Sequence, residues 1–112
     1  MRILLQTQGF ELTEAIDAHV RGQLGRRLAG SDSDIIAVDV FMGDLNGPKG
    51  DMDKRALICV QLASRLSVRA EAIHSDLYQA VAVAARKAEH SVKRTLRRHK
   101  RVEKAQLRSM RQ

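Results

Sequence analysis

The hydrophobic and polar positions along the chain fall into segments of two different periods. Arg2 to Gln8 alternates, with Ile3 and Leu5 on one side and Leu4 and Gln6 on the other, and Gly9 and Phe10 end a short predicted strand. Thr13 then stands where a helix N-cap would, with Glu14 and Asp17 in the first turn, where negative charge suits the helix dipole. Leu12 or Ile16, Val20, Leu24 and Leu28 recur every fourth residue. A helix is therefore expected to about Ala29, stopped by Gly30 and the polar run 31–33. Arg21 lies off the apolar stripe and Arg26 at its edge, whereas Arg27 falls inside it, where its stem would snorkel.

The period then changes to two. Ile36, Val38, Val40 and Met42 form the expected core side of a second strand, and Ile35, Ala37, Asp39 and Phe41 its partly wet side. Gly43 to Asp53 reads as a loop because Asp44-Leu45-Asn46-Gly47-Pro48-Lys49-Gly50-Asp51 gathers most turn-forming residue types. Its acids do not make an EF-hand, since Lys49 stands where the glycine is needed and Arg55 where the last acid is needed. A third strand is expected from about Lys54 to Ala63 with Ala56, Ile58, Val60 and Leu62 inward. A fourth runs from about Arg65 to Ile73, with Leu66, Val68, Ala70 and Ala72 in and Arg65, Ser67, Arg69 and Glu71 out. The turn near Ser64 must be tight although it contains no glycine. From Ser75 to about Lys104 a helical pattern runs without Gly or Pro, capped by Ser75 or Asp76.

The order is β-α-β-β-β-α. A strand, a helix and a returning strand make a right-handed crossover, so the first two strands should pair in parallel and the others add as antiparallel hairpins. The expected fold class is α+β, a two-layer sandwich with a four-stranded sheet and two helices on one face. One domain spans 1–104, and the basic tail 105–112, which shows no clear periodicity, should fray.

Charge distinguishes the last helix from everything before it. Residues 1–74 carry 9 Lys+Arg against 10 Asp+Glu, whereas residues 75–112 carry 11 against 3, so the net +7 of the chain resides at its end. At 100° per residue, Arg86, His90, Lys93, Arg94, Arg97, Lys100, Arg101 and Lys104 share about a third of the helix circumference. Leu77, Val81, Ala84, Ala85, Ala88 and Val92 take the opposite side. A solvated face normally mixes Glu with its cations at spacing four, and this one hardly does. A one-signed rod of about 45 Å matches a polyphosphate, and the expected partner is RNA.

Composition narrows the field further. Only Phe10, Phe41 and Tyr78 are aromatic, which disfavours base stacking on aromatic platforms and leaves a core of Ile, Leu, Val and Ala. The single Cys59 cannot form an internal disulfide and reads as a small filler. The apolar start Met1 to Leu5 is too short for a secretory signal, and no run approaches membrane-spanning length, so a soluble, cytoplasmic protein is expected. An enzyme is not expected. His19, His74, His90 and His99 have no metal-ligand spacing, no glycine-rich phosphate loop follows a strand, and no nucleophile has a base at a recognisable distance. No cofactor, metal or small-molecule substrate is implied. His19 and His74 read as a helix-face and a strand-end histidine with structural roles.

Ile3, Leu5, Leu12-Thr13, Ile16, Val20 and Leu24, with Ala70-Glu71-Ala72, Asp76-Leu77-Tyr78-Gln79-Ala80-Val81 and Lys87, resemble the ribosome hibernation-promoting factor family. Its members are also called ribosome-associated inhibitors or sigma-54 modulation proteins. The likeness covers about residues 1 to 100, and its most specific piece is Asp76-x-Tyr78-x-Ala80-Val81 followed by the basic series. The resemblance implies a fold similar to a double-stranded RNA-binding domain. It also implies binding to 16S rRNA of the small ribosomal subunit in the messenger and transfer RNA channel, silencing translation in stationary phase or stress. Lys87 matches a basic family position and Arg94 another two turns on, while His90 stands where the family usually has Arg. Arg86 replaces a position that is often acidic, and Thr7-Gln8 a place where Gly and a basic residue are common. The 46–50 stretch is longer than in short members, and nothing after Lys104 suffices for the dimerisation domain of long members.

The candidate RNA-binding residues are thus Arg86, Lys87, His90, Lys93, Arg94, Arg97, Arg98, Lys100 and Arg101, with Arg21 and Arg26 on the first helix. With six to eight cations on phosphate, raising salt from 50 to 200 mM should weaken binding on the order of a thousandfold or more. The alternative is a protein-interaction module or transcription modulator that docks an acidic partner on the same helix.

Overall fold

The computed structural model describes residues 1–45 and 53–110. Arg2–Gln8 forms β1, Glu14–Arg27 α1, Ile35–Asp44 β2, Lys54–Leu62 β3, Ser67–His74 β4 and Leu77–Met110 α2; a 3-10 turn, Ala29–Asp34, joins α1 to β2. The sheet order is β1-β2-β3-β4, with β1 and β2 parallel and the other pairs antiparallel. The expected α+β topology holds.

The ends of the elements follow local chemistry. The Thr13 hydroxyl accepts from the Ile16 N–H at 3.2 Å, the N-cap its position implied. At the other helix, Asp76 rather than Ser75 caps, its carboxylate accepting from the Tyr78 N–H at 3.0 Å. Nδ1 of His74, at the end of β4, accepts from the Asp76 N–H at 3.0 Å and so pins the strand-to-helix corner. The tight turn between β3 and β4 is closed by Leu62 N–H to the Leu66 carbonyl at 2.9 Å. Lacking glycine, it places Arg65 in the left-handed region at φ 74°. The expected loop after β2 begins later than the sequence implied, because β2 continues to Asp44 and pairs with Lys54. Most of that loop lies outside the described residues.

Alternation carries the core. Val38, Val40 and Met42 of β2, Ala56, Ile58, Val60 and Leu62 of β3, and Val68, Ala70 and Ala72 of β4 form one cluster with Val20 and Leu24 of α1, Leu28 at its C-cap, and Val81 and Val92 of α2. Ala80, Ala84, Ala85 and Ala88 are each fully buried, so α2 meets the sheet along a seam of methyl groups that permits close approach. Tyr78 at the start of α2 meets His19 of α1 edge-on, ring centroids 4.6 Å apart.

Three inward assignments change. Ile36 was expected in the core and is 52% exposed, because the β2–β3 register shifts between Ile35 and Ala37. That irregularity turns Ile35, opposite Leu62, inward and Ile36 out, while Ala37 keeps its expected place opposite Gln61 on the outer side, because one extra residue shifts the alternation. Leu66 was expected inward too, but it belongs to the turn before β4 and is 42% exposed. Arg27 does not simply snorkel: its guanidinium donates to Glu89 Oε1 at 3.0 Å and ties α1 to α2. Finally, α2 continues past the expected end near Lys104 to Met110, there being no Gly or Pro to stop it. Val92 is its last buried residue and 101–110 are all exposed, so the helix projects beyond the sheet.

Candidate nucleic-acid interface

The interface follows from the packing of α2. Once the alanine and valine side is pressed on β3 and β4, the helical period leaves Arg86, Lys87, His90, Lys93, Arg94, Arg97, Arg98, Lys100 and Arg101 exposed. Among the described residues, Arg86, Arg94, Arg97, Arg98, Lys100 and Arg101 have no carboxylate within ion-pair distance. Their field is uncompensated.

Lys93 differs from its neighbours. Its ammonium lies 3.1 Å from Glu89 Oε2, and the same carboxylate holds Arg27 through its other oxygen. The hydrogen bond from Lys93, then that from Arg27, keeps Glu89 below the usual carboxylate range against the opposing effect of burial. Further along the helix, Nε2 of His99 lies 3.1 Å from Glu103 Oε1.

Two of the candidate cations sit on the margins of the sheet. Lys87 Nζ donates to the Glu71 carbonyl on β4 at 3.1 Å, and Arg21 donates to the Ile3 carbonyl on β1 at 3.4 Å. β1 and β4 are the edge strands, so in each case a helix cation covers an outward-facing strand carbonyl and blunts the edge. Arg21 also donates to Asp17 at 2.6 Å. It therefore stands three strands away from Lys87, about 14 Å across the sheet, and partly compensated. The structure does not gather Arg21 with the basic series of α2. Arg26 is exposed on α1 and, among the described residues, has no carboxylate partner.

The α2 cations do meet a second element. A groove of ≈ 470 Å³ runs between the β4 edge and α2, lined by Arg69 and Glu71 on one wall and by Arg86, Lys87, His90, Ser91 and Arg94 on the other. Arg69 was read only as an outward strand residue. Its place on an edge strand beside a basic helix depends on strand order, which alternation alone does not reveal. The one acid of the groove is already engaged, since Glu71 Oε2 accepts from Arg55 Nε at 2.6 Å.

No group of three or more His, Cys, Asp or Glu side chains among the described residues could hold a metal ion, and no described helix is long and apolar enough to cross a membrane. The arrangement offers charge, donors and a rigid rod, which suit the binding of phosphates.

Comparison with known proteins agrees with the fold. No curated protein matches the chain. A ribosomal subunit interface protein from Coxiella burnetii superposes with a TM-score of 0.72 at 20% identity, over 85% of this chain and 97% of that one. The N-terminal domain of Protein Y from Thermus thermophilus superposes with a TM-score of 0.69 at 32% identity, over 85% of this chain and 99% of that one. The sequence profile of the Sigma 54 modulation protein / S30EA ribosomal protein family matches residues 3–101, which takes in the whole sheet, both packed helices and the basic series as far as Arg101; the chain belongs to that family.

Proposed function

We propose that this protein binds the small ribosomal subunit through the basic face of α2, contacting 16S rRNA in the channel used by messenger and transfer RNA, and silences translation by occupying it. The observation that carries the reading is the row of exposed cations from Arg86 to Arg101, of which Arg86, Arg94, Arg97, Arg98, Lys100 and Arg101 have no carboxylate partner among the described residues, held rigid by the buried alanine and valine side of the same helix. Membership of a family described as a ribosomal protein supports the ribosome as the source of the phosphates.

The mechanism is steric and electrostatic. Arg and Lys on a preformed helix hold phosphates without reading bases, so counterion release supplies affinity and the shape of folded RNA supplies specificity. A wedge in the channel excludes messenger and anticodon and leaves when they or a recycling factor compete it away. Such occupancy suits cytoplasmic ribosomes kept in reserve during stationary phase or stress. Sedimentation of the protein with purified small subunits, followed by cryo-electron microscopy of the complex, tests it. Density between head and body that overlaps the messenger path is expected; density elsewhere, or no co-sedimentation at low salt, would overturn the reading.

A further inference from the structure

The sheet has a second face, turned away from both helices, and the strand register sets its rows. Leu4, Asp39, Cys59 and Arg69 stand side by side across the four strands, and Gln6, Phe41, Leu57 and Glu71 form the next row. Arg69 borders the α2 groove only through its place on the edge strand; the alternation of β4 directs its side chain to this open face. The middle of the face is apolar, with Leu4 51% and Phe41 40% exposed and Leu57 and Cys59 half-buried among them. Beside it lie two opposite charges that do not meet. Asp39 and Arg69 have no ion-pair partner among the described residues, and two strand spacings, about 10 Å, separate them with Cys59 between. Glu71 does not serve Arg69, since its carboxylate accepts from Arg55 at 2.6 Å.

We infer that this open face is an interface between two copies of the chain, related by a two-fold axis that runs along the strands between β2 and β3. Such an axis lays β2 of one copy over β3 of the other and β1 over β4, so that the face meets itself. Phe41 then packs on Leu57 of the second copy, twice over, at the centre. Asp39 lies over Cys59 of the second copy, one strand spacing from that copy's Arg69 and within reach of its long stem, so two ion pairs form that the single chain leaves unmade. No like charges are opposed, because Leu4 covers the Arg69 stem and Gln6 faces Glu71. The face carries both signs, so a polyanion finds no complement on it, whereas a second copy does. Four strands about 4.8 Å apart and roughly 25 Å long give on the order of 500 Å² per copy, about 1,000 Å² in all, which is the lower bound for a specific interface. The association is therefore weak and concentration-dependent. Both α2 helices stay on the outer sides, roughly 25 Å or more apart and beyond the Debye length of about 8 Å, so their positive charge does not forbid it. The dimer does not rest on the ribosome-binding reading.

The test is sedimentation velocity of the full chain between about 10 µM and about 1 mM, where the wild type should pass from monomer toward dimer with a dissociation constant on the order of 100 µM. Asp39→Arg and Arg69→Asp, both outside the core and both checked for an amide NMR spectrum unchanged away from the substitution, should each weaken association about tenfold or more, because each homodimer then brings like charges together twice. An equimolar mixture of the two should recover to within about threefold of wild type, since the mixed dimer restores both pairs with their signs exchanged. Phe41→Ser should weaken association about tenfold, and neither charge variant should rescue it. A wild type that stays monomeric at the highest concentration, or a mixture that associates no better than its components, would overturn the dimer and leave the face to solvent or to a different protein. So would a loss in Asp39→Arg accompanied by a gain in Arg69→Asp, the pattern that net charge alone produces.

Discussion

The salt dependence of subunit binding can be worked from the structure. Of the cations on the outward third of α2, Arg86, Arg94, Arg97, Lys100, Arg101 and Lys104 are exposed and have no carboxylate partner among the described residues, whereas Lys93 is already matched by Glu89. If these six release counterions on binding RNA, the slope of log K against log salt is about −4, taking roughly 0.7 per phosphate contact. A fourfold rise in salt, from 50 to 200 mM, then weakens binding about 300-fold. This lies at the low end of the expectation from charge counting, because Lys93 is already paired and only six cations are counted. The assay is fluorescence anisotropy of labelled protein against purified small subunits over that salt range. Arg97→Gln should lower the slope by about 0.7, while Lys93→Gln should change it by well under half that, since it removes a cation that is already paired. A wild-type slope shallower than about −1.5, or a Lys93→Gln effect equal to that of Arg97→Gln, would refute the reasoning.

Three further outcomes concern the fold. Glu89→Gln should cost about 1 kcal/mol at pH 7 by releasing Arg27 and Lys93, a modest figure because both cations are partly exposed. Since Glu89 titrates below its usual 4.5, this advantage of the wild type is present above that pH and lost as pH falls through the lowered folded value; urea denaturation should show it at pH 7 and show it shrinking as pH is lowered below 4.5. Leu24→Ala, at a fully buried position between α1 and the sheet, should cost about 2–5 kcal/mol by urea denaturation, and a loss below about 1 kcal/mol would show that the core around it is loosely packed. Arg65→Gly should stabilise by about 0.5–1 kcal/mol, because glycine adopts the left-handed conformation at φ 74° without the Cβ clash; a lower denaturation midpoint would count against that strain.

What could be read along the chain was whatever depends on neighbours in sequence. A period of two or of about 3.6 marks which side of a strand or helix is apolar, so the six elements, their order and the parallel first pair were legible. So was the outward cationic side of α2, because both of its faces are set by one helical period. The Thr13 cap was legible for the same reason, its partner being three residues away. Features that depend on residues far apart in sequence were decided only by the tertiary structure. The β2 irregularity that expels Ile36 arises from pairing with β3. The Arg27–Glu89 bond joins residues on different helices, and the bonds of Arg21 and Lys87 to edge carbonyls require knowing which strands are edges. Arg69 lines the edge of the basic groove because β4 closes the sheet beside α2. Periodicity states which way a side chain faces relative to its own backbone; what it faces is set by how separate segments pack, and that packing gathers some of the cations into a groove while leaving Arg21 at the far edge.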